Sequence, residues 1–170
     1  MDAVEAILSR RSIRKYTDGK IPEELVTELL EAAMAAPSAN NQQPWQFIVI
    51  DDRALLDAIP EFHPYSQMLT DAPLAILVCI DQEHETMAEG YAVQDCAAAT
   101  ENVLLAAHGK GLGAVWLGIH PVAERVEGIG KLVGLPDHVR PFSLISIGYP
   151  AEEKGPSERY DAARVHRNGW

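Results

Sequence analysis

Leu74 to Ile80, LAILVCI, is an unbroken apolar run closed off by Asp71 before it and Asp81 after it. A strand with one wet face alternates apolar and polar residues, so a run without that period predicts a strand covered on both faces. It is far shorter than the roughly 20 apolar residues a membrane helix needs. The rest of the chain must therefore supply layers for both sides of a sheet. Val26, Leu29, Leu30 and Ala33 share one helical face behind Pro22, Glu23 and Glu24, and Pro37 ends that helix. The longest helix is expected over about Met87 to His108. It carries two small-residue stripes, Ala92, Cys96, Ala99, Val103 and Val93, Ala97, Thr100, Leu104, suited to close packing within the subunit or across a dimer interface. Further strands are expected from Gln46 (QFIVID), over Ala114 to Leu117 and over Phe142 to Ile147, with helices around Val122 to Leu132 and behind an Asp2 cap. Residues 53 to 70 show helical pieces near Leu55 and Met68, separated by Pro60 and Pro64, and read ambiguously.

No linker or internal repeat divides the 170 residues, so they read as one domain, 1–170. The last stretch, Tyr149 to Trp170, is polar and has no core of its own.

Charge narrows the function. With 14 Lys and Arg against 25 Asp and Glu, the net charge of −11 opposes nucleic acid over most of the surface. Against that background RRSIRKY, Arg10 to Tyr16, gathers four cations around one serine. It falls where a helix gives way to extended chain. Two readings stay open on the residues alone: a solvated helix end complementing the dipole, or several guanidinium groups converging on an anion such as phosphate.

Other chemistry finds little support. GKGLGAVWLG, Gly109 to Gly118, has its helix before and its strand after, the reverse of a dinucleotide loop, and reads as a helix cap turning into a strand. GIGK, Gly128 to Lys131, lacks a phosphate loop's first glycine and is followed by Leu132, so it reads as a helix end. Six histidines lie scattered, and DQEHE, Asp81 to Glu85, reads as a solvated loop rather than a ligand set; no metal is expected. Cys79 within the apolar run and Cys96 on the long helix read as packed thiols. Two such cysteines, with no apolar signal core at the N-terminus, suit a cytoplasmic protein.

Taken together with the loop after the first strong helix, the basic run resembles the FMN-dependent nitroreductase family. Arg10, Ser12 and Arg14 match R-x-S-x-[RK]; Pro37, Ser38, Asn41, Gln43, Pro44 and Trp45 match P-S-x-x-N-x-Q-P-W. Asp95 opening an alanine-rich helix with Glu101 and Asn102, then GLGAVWLG, LISIGYP and RYDAARVHRNGW, extend the likeness nearly end to end. The resemblance implies an α+β fold: a central, mostly antiparallel sheet flanked by helices, with a C-terminal arm, about 149–170, exchanged in a homodimer.

It also implies the site. FMN is the expected cofactor, its phosphate and ribityl chain held by Arg10, Arg11 and Ser12, with Arg14 on the N1/O2 side of the ring. A cation there favours the reduced anion and raises the potential. Pro37, Ser38 and Ala39 are expected from the partner subunit. Asn41 and Gln43 supply amides for the flavin or only hold the loop, Trp45 anchors packing, and Leu117 and Gly118 bring backbone close to the ring. Arg159 matches a late phosphate arginine. Ser157 stands where many relatives have lysine, leaving Lys154 or the N-terminal arginines to complete the charge.

The implied reaction is ping-pong hydride transfer from NADH or NADPH through FMN N5 to a small planar acceptor such as a nitroaromatic or quinone. The alternative is an FMN-binding carrier, sensor or redox-complex subunit without turnover. Residues 53–70 are the one obvious place for a substrate lid. His63, Tyr65 and Gln67 there read as surface-loop residues, with a substrate-facing role as the other possibility.

Overall fold

The computed structural model describes residues 1–84 and 90–170. A four-stranded antiparallel sheet runs through its centre in the order β1-β2-β4-β3, built from β1 (Trp45–Ile50), β2 (Leu74–Asp81), β3 (Gly113–Gly118) and β4 (Val139–Gly148). Every residue of β2 is buried, as its unbroken apolar run requires. Because side chains alternate across a strand, the run feeds two cores. Leu74, Ile76, Val78 and Ile80 enter one, and Ala75, Leu77 and Cys79 enter the other.

Helices α2 (Glu23–Met34) and α4 (Tyr91–Gly109) cover the first face. Val26, Leu29 and Ala33 of α2 meet Ala92, Cys96, Ala99 and Val103 of α4, where small side chains let the helices lie close. Asn102 Nδ2 donates to the Ala32 carbonyl at 2.9 Å, tying the pair. Among the described residues α4 begins at Tyr91; Met87, where the long helix was expected to start, lies outside them. The second face is covered by α3 (Arg53–Ala58), two short 3-10 turns at Ile59–Glu61 and Gln67–Thr70, and α5 (Ala123–Val133). That resolves the ambiguous stretch: Leu56, Ile59 and Leu69 are core residues, so the region is a packed layer. Gly128 and Gly130 lie inside α5 rather than at its end, which Gly134 closes at φ 66°. A Cβ on Gly128 would stand 2.6 Å from the Phe62 ring, so this glycine is where the two segments touch.

Two buried polar contacts accompany β4. Ser143 Oγ and Thr100 Oγ1 share a hydrogen bond of 2.8 Å, and Ser146 Oγ pairs with the Tyr16 hydroxyl at 2.9 Å. A short helix, α1 (Ala3–Ser9), is capped by Asp2, whose carboxylate accepts from the Glu5 amide at 2.9 Å. Its apolar side chains Val4, Ile7 and Leu8 are exposed; only Ala6 is buried. Gly111, at φ 77°, turns the end of α4 into β3 as expected of the glycine-rich stretch.

Candidate functional site

After α1 the basic run lies extended along the outer edge of β3. Ser12 bridges to Ala114 in parallel sense, and the Ile13 amide donates to the Ala114 carbonyl at 3.0 Å. Tyr16 then bridges to Pro150. Its ring packs over Gly148 and its hydroxyl donates to the Ile13 carbonyl at 3.0 Å. Burial is the main reason the Tyr16 phenol is pushed up to about 12, so it stays a neutral anchor.

The start of the C-terminal stretch is strapped to this same segment. The Ala151 amide donates to the Lys15 carbonyl at 2.8 Å, Glu152 Oε1 accepts from the Arg14 amide at 2.6 Å, and Lys154 Nζ donates to the Ser12 carbonyl at 2.6 Å. The chain as far as Gly155 is thus hydrogen-bonded to the basic run of its own subunit, and the stretch of residues 156–170 follows beyond these bonds. Within it Tyr160 and Trp170 are fully or almost fully exposed.

The arginines have separate tasks. Arg11 donates to the carbonyls of Leu8 (3.0 Å), Arg10 (2.6 Å) and Gly155 (2.9 Å), so it caps α1 and holds the strap. Arg10 is mostly buried. Its Nε has no hydrogen-bond partner among the described residues and lies 3.4 Å from Glu101 Oε1. Arg10 and Arg11 line a groove of about 600 Å³ together with Ser157, Glu158, Arg159 and Tyr160, so three arginines face one carboxylate there. The structure therefore brings Arg10, Arg11 and Arg159 together. Lys154 does not line this groove; its Nζ is on the Ser12 carbonyl. The Ser12 hydroxyl has no partner among the described residues.

A second pocket, about 410 Å³, opens at the other end of the run. Arg14, Trp116, Leu117 and Gly118 line it with His63, Tyr65, Met68 and Arg125. His63 is only 1 % exposed, contrary to the surface-loop reading, whereas Tyr65 and Gln67 are exposed. Burial first, then the nearby Arg125 charge, lowers the His63 pKa, so the ring is neutral near pH 7. Its Nδ1 accepts from the Tyr65 amide at 3.3 Å, which assigns the proton to Nε2 and makes that atom the donor to the Gly118 carbonyl at 3.1 Å. Arg125 donates to the same carbonyl at 2.8 Å and lies over the Tyr65 ring, 5.5 Å from its centre. Sequence offers no signal for Arg125 and only an open alternative for His63. Each reaches Gly118 through a single tertiary hydrogen bond that leaves no periodic trace.

Pro37 to Gln43 forms a loop that lines neither pocket. Asn40, Asn41 and Gln43 all take positive φ, near 52°, which side-chain amides tolerate better than most residues. Gln43 donates from its backbone to Ser38 Oγ at 3.0 Å and from Nε2 to Asn41 Oδ1 at 3.2 Å, so these two amides hold the loop's shape. The Ala39 amide donates to Asp95 on α4 at 3.0 Å. Trp45, just beyond, is a core residue.

Elsewhere Asp81 is buried, not solvated, with Gln46 Nε2, the Glu83 amide and His84 Nδ1 on its carboxylate. Ligand atoms of Asp81, Glu83 and His138 lie within 4.8 Å of one another; Glu85 is outside the described residues. No described helix is long and apolar enough to cross a membrane.

Comparison with known proteins agrees with this architecture. The sequence model of the nitroreductase family matches residues 7–63 and 57–149. A Methanothermobacter thermautotrophicus protein provisionally named NADH dehydrogenase/NAD(P)H nitroreductase is 53% identical over 170 residues, covering 100% of this chain and 88% of its own. A crystal structure of the same provisional name from Parabacteroides distasonis superposes with a TM-score of 0.94 at 40% identity, over 99% of this chain and 98% of that one. A provisionally named nitroreductase of Desulfovibrio desulfuricans, solved in complex with FMN, gives a TM-score of 0.86 at 34% identity, over 100% and 98%.

Proposed function

Because the chain belongs to the nitroreductase family, we propose that it is an NAD(P)H-dependent oxidoreductase that uses FMN to reduce a small planar acceptor such as a nitroaromatic or quinone. The observation that carries this is the run Arg10 to Arg14, with a cationic groove at one end and an aromatic-lined pocket at the other. Four extended residues reach roughly 13 Å. That arrangement suits a ligand with a phosphate at one end and a flat ring at the other.

The residues present fit FMN. Among the described residues Arg10 keeps a buried Nε without a hydrogen-bond partner, beside Arg11 and Arg159. Arg11 already has its Nε and Nη1 on backbone carbonyls, so Arg10 and Arg159 are the main donors for a phosphate dianion. The unpartnered Ser12 hydroxyl adds one more donor on the same segment. Arg14 brings a positive charge to the ring pocket, which Leu117 and Gly118 also line. Bound FMN supplies the two-electron chemistry between nicotinamide donor and acceptor, which occupy the same place in turn. His63 and Arg125 fix the Gly118 peptide, and Tyr16 fixes the basic run from below.

A homodimer completes the site in this reading. Pro37, Ser38, Ala39, Asn41 and Gln43 stand apart from both pockets of their own chain, as residues serving a second copy would. The exposed apolar face of α1 and the uncovered stretch after Gly155 offer surfaces for that copy. A cytoplasmic place suits two reduced, buried cysteines.

Visible spectra of the purified protein, recorded anaerobically before and after NADH and then NADPH, test the proposal. A flavin spectrum bleached by either donor is the expected result. A flavin that neither donor bleaches favours a carrier or sensor, and a colourless protein unable to take up FMN overturns the reading.

A further inference from the structure

We infer that Arg125 is a specificity-determining residue that selects acceptors carrying an anionic group, a carboxylate or other oxyanion, on a planar body; this rests on the oxidoreductase reading above. The pocket holds two guanidinium groups, Arg14 and Arg125, and among the described residues no Asp or Glu lines it. Neither arginine has an ion pair among the described residues. In a chain of net charge −11 this is a local positive field with nothing in the pocket to neutralise it. Buried neutral, His63 adds no charge of its own.

The geometry of Arg125 is set by the fold. One of its five N–H groups goes to the Gly118 carbonyl, and its guanidinium lies over the Tyr65 ring. A guanidinium fixed at two points has already lost much of its freedom, and its remaining donors form the fork that matches a carboxylate. Trp116, Met68 and Tyr65 supply flat and polarisable surface for the body of the ligand. Arg14 has its own place in the proposed flavin site; Arg125 is the cation left for the substrate.

Benzoate and benzamide, nearly the same shape and differing in charge, are the probes. Their dissociation constants are measured by isothermal titration calorimetry on the protein as purified, and on Arg125→Gln and Arg125→Lys. Gln keeps a donor for the Gly118 carbonyl without the charge; Lys keeps the charge. Wild type should bind benzoate about tenfold more tightly than benzamide, as a charge-assisted hydrogen bond implies. The preference should vanish in Arg125→Gln, survive in part in Arg125→Lys, and shrink with added salt. In parallel, kcat/KM for an anionic quinone relative to a neutral one should fall about tenfold in Arg125→Gln.

Equal binding of the two probes by wild type, or a preference that survives Arg125→Gln, overturns the inference. So does an Arg125→Gln variant that loses affinity for NADH while its benzoate preference stands, since the residue would then serve the donor. A colourless protein that still prefers benzoate through Arg125 would sink the flavin reading and leave the anion site standing; a yellow protein without the preference would do the reverse.

Discussion

Gly113 and Gly148 face each other across β3 and β4, and neither has room for a Cβ: one would stand 2.6 Å from Ile13, the other 2.6 Å from Tyr16. The basic run can lie on the sheet only because these two paired positions are bare. Gly148→Ala should therefore lift the Tyr16 ring, weaken its bond to Ser146, and cost about 1–3 kcal/mol of stability. Urea denaturation and FMN titration would both register it. Unchanged stability with unchanged FMN affinity would show that the run does not depend on this contact.

Arg14→Ala should lower the flavin potential and slow reduction by the nicotinamide while leaving some FMN bound, because the phosphate groove lies at the other end of the run. Spectroelectrochemistry and stopped-flow reduction measure the two effects. If both match wild type, Arg14 has no part in tuning.

His63 makes stability pH-dependent. Its folded pKa lies below the ordinary 6.5, so between the two values the unfolded chain binds more protons than the folded one. The His63 contribution is intact above about pH 6.5 and is lost as pH falls through the lower folded value. His108 and His120 are shifted the same way, also chiefly by burial, and add to the slope. The urea midpoint should fall between about pH 7 and pH 5, and His63→Gln should flatten part of that fall. A slope identical to wild type in the variant would remove His63 from the account.

Neither thiol should react in the native protein. Cys79 and Cys96 are both fully buried, and burial pushes the Cys79 thiol up to about 12. A chromogenic disulfide reagent should find no fast thiol until denaturant is added, and then two. A fast native thiol would mean that the α4–β2 contact opens readily.

Truncation separates strap from arm. A chain ending at Gly155 keeps Glu152 and Lys154 on the basic run, whereas one ending at Pro150 loses both. The longer variant should lose the dimer and, with Arg159 gone, bind FMN more weakly, yet keep its fold; the shorter should lose FMN altogether and stability as well. Sedimentation and absorbance spectra read the difference, and a yellow dimer ending at Pro150 would count against the whole arrangement.

Legibility in the sequence went with physical period. The apolar run of β2, the spaced leucines of α2 and the alanine stripes of α4 declared themselves because packing imposes repeats on sequence. The basic run was recognisable as a cluster, and the motif resemblance gave it a cofactor. Arg11 was different: its guanidinium is turned onto backbone carbonyls, including that of Gly155 near the far end of the chain, and composition cannot distinguish that from a ligand-facing arginine. His63 was hidden for a related reason. Flanked by Pro60 and Pro64 it resembles a surface loop, and only the closure of the 53–70 layer over the end of β3 buries it. The tail looked free throughout because most of its straps are bonds made by side chains between distant positions.

The bridge from Ser12 to Ala114 has one more effect. β3 ends the sheet, and a terminal strand with open amides and carbonyls invites another chain to pair with it. Ser12 and Ile13 occupy that edge near its start. The segment assigned to grip the cofactor is thus also the guard against edge-to-edge aggregation, and changes that loosen it will trade catalytic loss for insolubility, so variants here need to be judged on the soluble fraction before their activities are compared.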